Sequence, residues 1–204
     1  MKKRKFEEMS MDEQELVRQI QDGDEMAFTK IVNIYKDKIV NYLYQFTGDY
    51  QKAVDLSQET FMRVFFKANK YKPIAPFSSW IYAIASNLAK TEMKRIHKAP
   101  TVSLDDLHNS YSSGAFSENP AESGLTRNIR QSLKALHPRY RIPVILKDME
   151  GFSLEEIAQI LKRPIGTIKA RISRGRNYLR RDLETVLKEE DKDVEKKENS
   201  YGRD

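Results

Sequence analysis

Wherever the apolar residues of this chain keep a regular spacing, the spacing is helical. Behind Asp24, a suitable N-cap, Phe28, Ile31, Val32, Tyr35, Ile39, Leu43 and Phe46 come at steps of three and four. Such steps put them on one face of a helix of about 3.6 residues per turn. Gly48-Asp49 interrupts the pattern and can cap a second helix, in which Ala53, Thr60, Phe61, Val64 and Ala68 share a face. Pro73 and Pro76 forbid helix through 71–77, because proline lacks the amide donor and restricts the residue before it. A third long helix is predicted over 78–98, with Trp80, Ile81, Ile84, Ala85 and Leu88 inward, and a short one over 12–21. Sustained two-residue alternation is absent. The fold class is therefore all-α.

Beyond residue 98 the chain changes in kind. Residues 99–126 are rich in Pro, Ser, Asn and Gly and read as a flexible linker. Leu104, Leu107, Tyr111 and Phe116 are scattered through it as docking contacts, should the flanking bodies pack together. A second helical body is predicted over 127–187. The polar stretch 188–204 is predicted to be disordered. Two small helical domains on a tether also suit a chain of 204 residues.

The charge is divided along the same boundaries. Residues 1–98 carry 17 basic and 13 acidic side chains, 99–126 none and four, 127–183 fourteen and five, and 184–204 five and eight. The compact segment at +9 points to a polyanionic partner, against the plainer reading of a solvated basic surface. Catalysis finds no support. There is no Cys, the three His (His97, His108, His137) are dispersed, no Gly-rich phosphate loop occurs, and the carboxylates fall on exposed helix faces. No metal or cofactor is expected. No apolar run reaches the roughly 20 residues that span a bilayer, and Met1–Glu8 lacks the apolar core of a secretory signal, so a cytoplasmic location is expected.

The second body carries a helix-turn-helix pattern. Ser153-Leu154-Glu155-Glu156 forms a capping box after Gly151-Phe152. Leu154, Ile157, Ala158 and Leu161 line the inside of a short helix, and Lys162-Arg163-Pro164 makes the turn. The next helix buries Ile165, Ile168, Ile172 and Leu179. Its opposite face shows Thr167, Ala170, Arg171, Arg174 and Tyr178, with Lys169 and Ser173 on a flank. Small residues there permit close approach to a major groove, and the cations can reach guanine or phosphate. A plain amphipathic hairpin with a basic outer face has the same pattern.

In the first body, the side of the second helix opposite the core holds Asp55, Glu59, Met62 and Phe66, flanked by Leu56 and Arg63. Apolar groups among carboxylates on an outer stripe suit a protein partner, unless Met62 and Phe66 pack on the first helix. Lys70, Tyr71, Lys72 and Phe77 interleave cations with aromatics, and Ser86, Asn87, Lys90, Lys94 and Arg95 lie on the next helix. That mixture suits unstacked bases and their phosphates, unless Tyr71 and Phe77 cap the core.

These segments together resemble a family. Residues 55–65 (DLSQETFMRVF) resemble the region 2 core of extracytoplasmic-function (ECF) sigma factors. Residues 77–89 (FSSWIYAIASNLA) resemble the promoter-melting helix next to it, and 151–158 (GFSLEEIA) with 166–176 (GTIKARISRGR) resemble region 4. The resemblance implies an initiation subunit of bacterial RNA polymerase, with region 2 over 10–98 and region 4 over 127–187. By residue-wise correspondence, Asp55, Gln58, Glu59, Met62 and Arg63 dock on the β′ clamp helices of core polymerase. Lys70, Tyr71, Lys72, Phe77, Asn87, Lys90 and Arg95 engage the −10 strand of promoter DNA. Thr167, Lys169, Ala170, Arg171, Ser173 and Arg174 read the −35 element, with region 4 on the β flap. The resemblance also implies an anti-sigma partner, often membrane-bound. The acidic linker would take a path along a basic channel of the polymerase. Pro143, inside an expected helix over 138–149, and Lys169, where Arg is frequent, depart from the family pattern. The competing reading is a helix-turn-helix regulator that binds duplex operators as a dimer.

Overall fold

The computed structural model describes residues 13–98 and 124–201. The described residues are helices and their connections, with no strand among them. Residues 13–21 form α1. After it come α2 (Glu25–Thr47), α3 (Tyr50–Lys67), a 3-10 turn (Ala68–Lys70) and α4 (Phe77–Lys98). The second body comprises α5 (Gly124–Ala135), α6 (Pro138–Asp148), α7 (Leu154–Leu161) and α8 (Ile165–Tyr201).

The caps are those the residues dictate. The Asp24 carboxylate accepts from the amides of Met26 and Ala27, and Asp49 accepts from that of Lys52. Gly48 ends α2 in the left-handed region at φ 64°, with its amide bonded to the Tyr44 carbonyl. Replacing Asp24 by Ala leaves two first-turn donors to water alone. It should cost about 1 kcal/mol in urea unfolding, with an unchanged m-value.

Within the first body, Ile31, Tyr35, Ile39, Leu43 and Phe46 of α2 meet Ala53, Thr60, Phe61 and Val64 of α3 and Ile81, Ala85 and Leu88 of α4. Tyr42, off the predicted stripe, is also fully buried, and its hydroxyl lies 2.6 Å from Ser86 Oγ. In the second body, Ile142, Val144, Ile145 and Leu146 of α6 pack with Ile157 and Ile160 of α7 and Ile168 and Ile172 of α8. Ile165, expected inside, is exposed, because it opens α8 before the helix meets its neighbours. Pro143 lies inside α6 without ending it. Burial of every residue from Tyr140 to Leu146 outweighs the one lost hydrogen bond.

At Gly175, α8 comes close against α6. A Cβ there would stand 2.7 Å from Val144 Cγ2 and 3.4 Å from Tyr140 Cβ. Val144 is buried and stiff at χ1, so it cannot easily yield. Gly175→Ala should therefore destabilise the chain, against the gain of about 1 kcal/mol that Gly→Ala brings in an open helix. Urea unfolding of the variant beside Gly166→Ala, where a Cβ meets nothing within 4 Å, reads the difference in sign.

Two boundaries differ from expectation. Residues 124–126 belong to α5 rather than the linker, and α8 continues through most of the stretch predicted to be disordered, to Tyr201. No Pro or Gly interrupts 176–201, and its Glu and Lys are good helix formers, so helix propensity prevails over polarity there. Residues 99–123, with Leu104, Leu107, Tyr111 and Phe116, and residues 202–204 lie outside the described residues.

The two bodies pack together. α7 lies on α4, α5 touches α2, and α6 touches α4. Tyr82, left off the predicted inner face of α4, is buried because Phe152 covers it, with ring centroids 4.8 Å apart.

Candidate nucleic-acid and protein interfaces

The helix-turn-helix is set by local chemistry. Ser153 Oγ accepts from the Glu156 amide at 3.1 Å, and Glu156 Oε2 accepts from the Ser153 amide at 2.8 Å. Lys162 closes α7 in the left-handed region at φ 50°, so the chain reverses within three residues. The Arg163 amide then bonds the Ala158 carbonyl at 3.0 Å. Ile168 and Ile172 anchor α8 inward, which turns Lys169, Ala170, Ser173 and Arg174 to solvent, with Thr167 and Arg171 half-buried.

Two shallow depressions flank this exposed ridge. One is lined by Arg139, Tyr140, Gly166, Thr167, Ala170, Arg171 and Arg174. It gathers three guanidinium groups and no carboxylate, which suits a phosphate or a guanine edge. Arg139 was not legible as part of it. It lies at the start of α6, far from the helix-turn-helix in sequence, with its guanidinium 4.6 Å from the Tyr140 ring centroid. The other depression is lined by Lys147, Leu154, Lys169, Ile172, Ser173, Arg176 and Asn177. Arg176 is already engaged there, with its Nε donating to Asp148 at 3.0 Å. Lys169 and Arg174 thus address opposite sides of the ridge.

On α3, Asp55, Gln58 and Met62 are exposed, and Glu59 and Arg63 are half-buried and paired at 2.6 Å. Met62 is 58% and Phe66 76% exposed, so neither packs on α1. Phe65 adds to the same apolar surface, its ring 5.0 Å from Phe28 and 5.7 Å from Phe66. Leu56, by contrast, turns into the core.

The loop between the 3-10 turn and α4 corrects the expectation for its aromatics. Phe77 is 1% exposed and Tyr71 is buried, with the Tyr71 hydroxyl donating to the Ala75 carbonyl at 2.8 Å. Their rings lie 5.7 Å apart and both meet Trp80, so in this structure they cap the core and offer no face to a base. The loop instead exposes Lys70, Lys72 and, at its tip, Ile74. Asn87, Lys90 and Arg95 are exposed along α4, Arg95 paired with Glu92 at 2.7 Å. Among the described residues no group of three or more His, Asp or Glu could hold a metal ion. No described helix is long and apolar enough to cross a membrane.

The chain is similar to known proteins. Residues 31–98 match the family described as Sigma-70 region 2, and residues 126–179 match Sigma-70, region 4. The chain is 35% identical over 176 residues to the ECF RNA polymerase sigma factor SigW of Bacillus subtilis, covering 82% of this chain and 94% of that one. It is 30% identical over 186 residues to the RNA polymerase sigma-H factor of Pseudomonas aeruginosa, covering 87% and 96%. Among solved structures, CnrH in complex with the cytosolic domain of CnrY superimposes with a TM-score of 0.67 at 21% identity, over 85% of this chain and 98% of that one. The sigma factor RpoE in complex with the anti-sigma factor NepR from Bartonella quintana gives 0.62 at 24% identity, over 77% and 96%. These two share the fold.

Proposed function

The chain belongs to the ECF family of RNA polymerase sigma factors and directs transcription initiation as one of them, and we propose how its two helical bodies divide that task. The body over 10–98 binds core polymerase through Asp55, Gln58, Glu59, Met62 and Arg63, on the β′ clamp helices. It holds the −10 strand with Lys70, Lys72, Asn87, Lys90 and Arg95. The body over 127–187 reads the −35 duplex with Thr167, Lys169, Ala170, Arg171, Ser173 and Arg174, and sits on the β flap. The polymerase performs the chemistry, the chain adds no catalysis of its own, and both work in the cytoplasm. An anti-sigma protein, of the kind bound to the RpoE of Bartonella quintana, is its natural inhibitor.

The observation that carries this division is the separation of two unlike surfaces. One is an apolar-acidic stripe on α3, suited to a protein. The other is a cationic ridge without carboxylates on α8, suited to DNA. An operator-binding dimer needs the second surface and also a symmetric dimer surface, for which the stripe on α3 would have to meet its own copy. Gel filtration with and without core polymerase separates the two. The chain should run as a monomer alone and move into the polymerase peak when mixed with it. A dimer that ignores the polymerase would refute the assignment.

A further inference from the structure

The segment between α3 and α4 is not shaped by its own sequence alone. Residues 68–76 read Ala-Asn-Lys-Tyr-Lys-Pro-Ile-Ala-Pro, with two cations and no carboxylate. Lys70, Lys72 and Ile74 are exposed, while Tyr71, between the two lysines, is buried. A backbone that turns neighbouring side chains in and out within so few residues needs to be fixed from behind.

One fixing group comes from α1. Gln21, its last residue, is half-buried, and its Nε2 donates to the Ala68 carbonyl at 2.8 Å and to the Tyr71 carbonyl at 3.3 Å. An atom within reach of two carbonyl oxygens must be the amide nitrogen, because the amide oxygen has no hydrogen to donate. α1 is itself anchored. Leu16, Val17 and Ile20 are buried, and Glu13 at its other end accepts from the Tyr35 hydroxyl at 2.9 Å.

The second fixing group is the Tyr71 hydroxyl, which donates to the Ala75 carbonyl at 2.8 Å. Burial and the Glu13 carboxylate raise the pKa of Tyr71, which keeps the hydroxyl a donor. Inside the span it closes, the Ile74 amide bonds the Lys72 carbonyl at 2.7 Å, and Pro73 fixes one φ angle. The bonds of Gln21 therefore bracket Lys70, and the bond of Tyr71 brackets Lys72 and Ile74. Any of this backbone left loose would have to be ordered when a ligand binds, at an entropic cost that lowers affinity.

Given the assignment of this loop to the −10 strand, on which this inference rests, we propose that Gln21 and the Tyr71 hydroxyl are positioning residues for that strand. They touch no DNA. They hold Lys70, Lys72 and Ile74 in the arrangement that the strand meets. Tyr71, whose buried ring offers no face to a base, thereby acts through its hydroxyl and the backbone.

The test reads loop order and strand binding separately, on the full chain. There is no native Cys, so Ile74→Cys at the loop tip can carry a nitroxide whose spectral line width reports local motion in the free chain. Tyr71→Phe deletes one hydroxyl and keeps the ring against Phe77 and Trp80. Gln21→Glu keeps the size and turns the donor into an acceptor that faces two carbonyls. Each should narrow the lines of the label. For Gln21→Glu the order should return as pH falls through the carboxylate range, because the protonated acid donates again, and Gln21→Leu should show no such recovery. With Ile74 restored, the complex of each variant with core polymerase is titrated with a fluorescein-labelled single-stranded DNA of randomised sequence, core polymerase alone giving the background. Each variant should lose about tenfold in affinity, the cost of ordering about one residue of backbone. Affinity for core polymerase and for −35 duplexes should not change. Lys72→Ala should weaken strand binding without mobilising the label. Tyr71→Phe decides the matter if the Gln21 variants fail to fold. Labels as immobile in the variants as in the parent, or mobile labels with unaltered strand affinity, would overturn the positioning role. Unaltered strand affinity in a Lys70→Ala, Lys72→Ala chain would instead overturn the assignment of the loop, and the positioning role with it.

Discussion

The combined change Asp55→Lys, Glu59→Lys and Met62→Ala is expected to abolish binding to core polymerase while leaving the helical content intact. The fold should tolerate it because the three side chains carry little of the fold's stability. Asp55 and Met62 are exposed. The Glu59–Arg63 pair is an i,i+4 surface bridge with side chains 45% and 42% exposed, worth about 0.3–0.5 kcal/mol after solvent screening. Phe61 and Val64, which anchor α3, are untouched and face the other way. The interface should not tolerate it. Two carboxylates become ammonium groups, and the central apolar anchor is truncated. A single interfacial hot spot costs about 2 kcal/mol or more, so the combination should exceed roughly a hundredfold in affinity. Equilibrium competition for core polymerase against the unaltered chain measures it, with circular dichroism as the control. Unchanged affinity would remove the stripe from the polymerase interface. Loss of helix would show that it serves the fold.

Arg174 and Lys169 should part company although both are basic. Arg174 stands on the outward ridge of α8, in the depression shared with Arg139 and Arg171, and can offer guanine two parallel donors. Lys169 faces the opposite depression beside Arg176 and offers a point charge suited to phosphate. Arg174→Ala should cost about 1–3 kcal/mol on the preferred −35 sequence and relax discrimination at one position. Lys169→Ala should weaken all sequences alike and reduce the salt slope by about one unit. Binding of the full chain to a panel of −35 duplexes at several salt concentrations reads both. Equal loss on every duplex for Arg174→Ala would assign it to the backbone and leave the readout to Thr167, Ala170 and Ser173.

Those surfaces were legible because helical periodicity says which side of a helix faces in. It placed Ile31, Ile39 and Leu43 in the core of the first body, and Ile168 and Ile172 in that of the second. It could also leave Met62 and Arg174 outside. Periodicity on one helix does not report what a second body will cover. Tyr82 is polar at its tip and off the apolar stripe of α4, so nothing local marked it for burial beneath Phe152. Arg141 is the sharper case. A cation in a short helix reads as surface, and only the close end of α2 explains why it is buried. The loop aromatics failed differently. Interleaved Lys and Tyr have the composition of a base-stacking loop, and whether Tyr71 and Phe77 face in depends on how Pro73 and Pro76 fold the chain back onto Trp80. At the end of the chain, residues 188–201 contain neither Gly nor Pro, a composition compatible with helix, as α8 shows to Tyr201, as well as with disorder.

Transcription reconstituted from purified core polymerase, this chain and a library of promoter fragments, with start sites mapped, tests the central claim most directly. The account predicts transcripts that begin at defined sites only when the chain is added. Those sites should lie downstream of a shared pair of −35 and −10 elements, and transcription should be lost with the α3 triple variant. Start sites unaffected by the chain, or a chain that binds the fragments and represses without entering the polymerase, would contradict it.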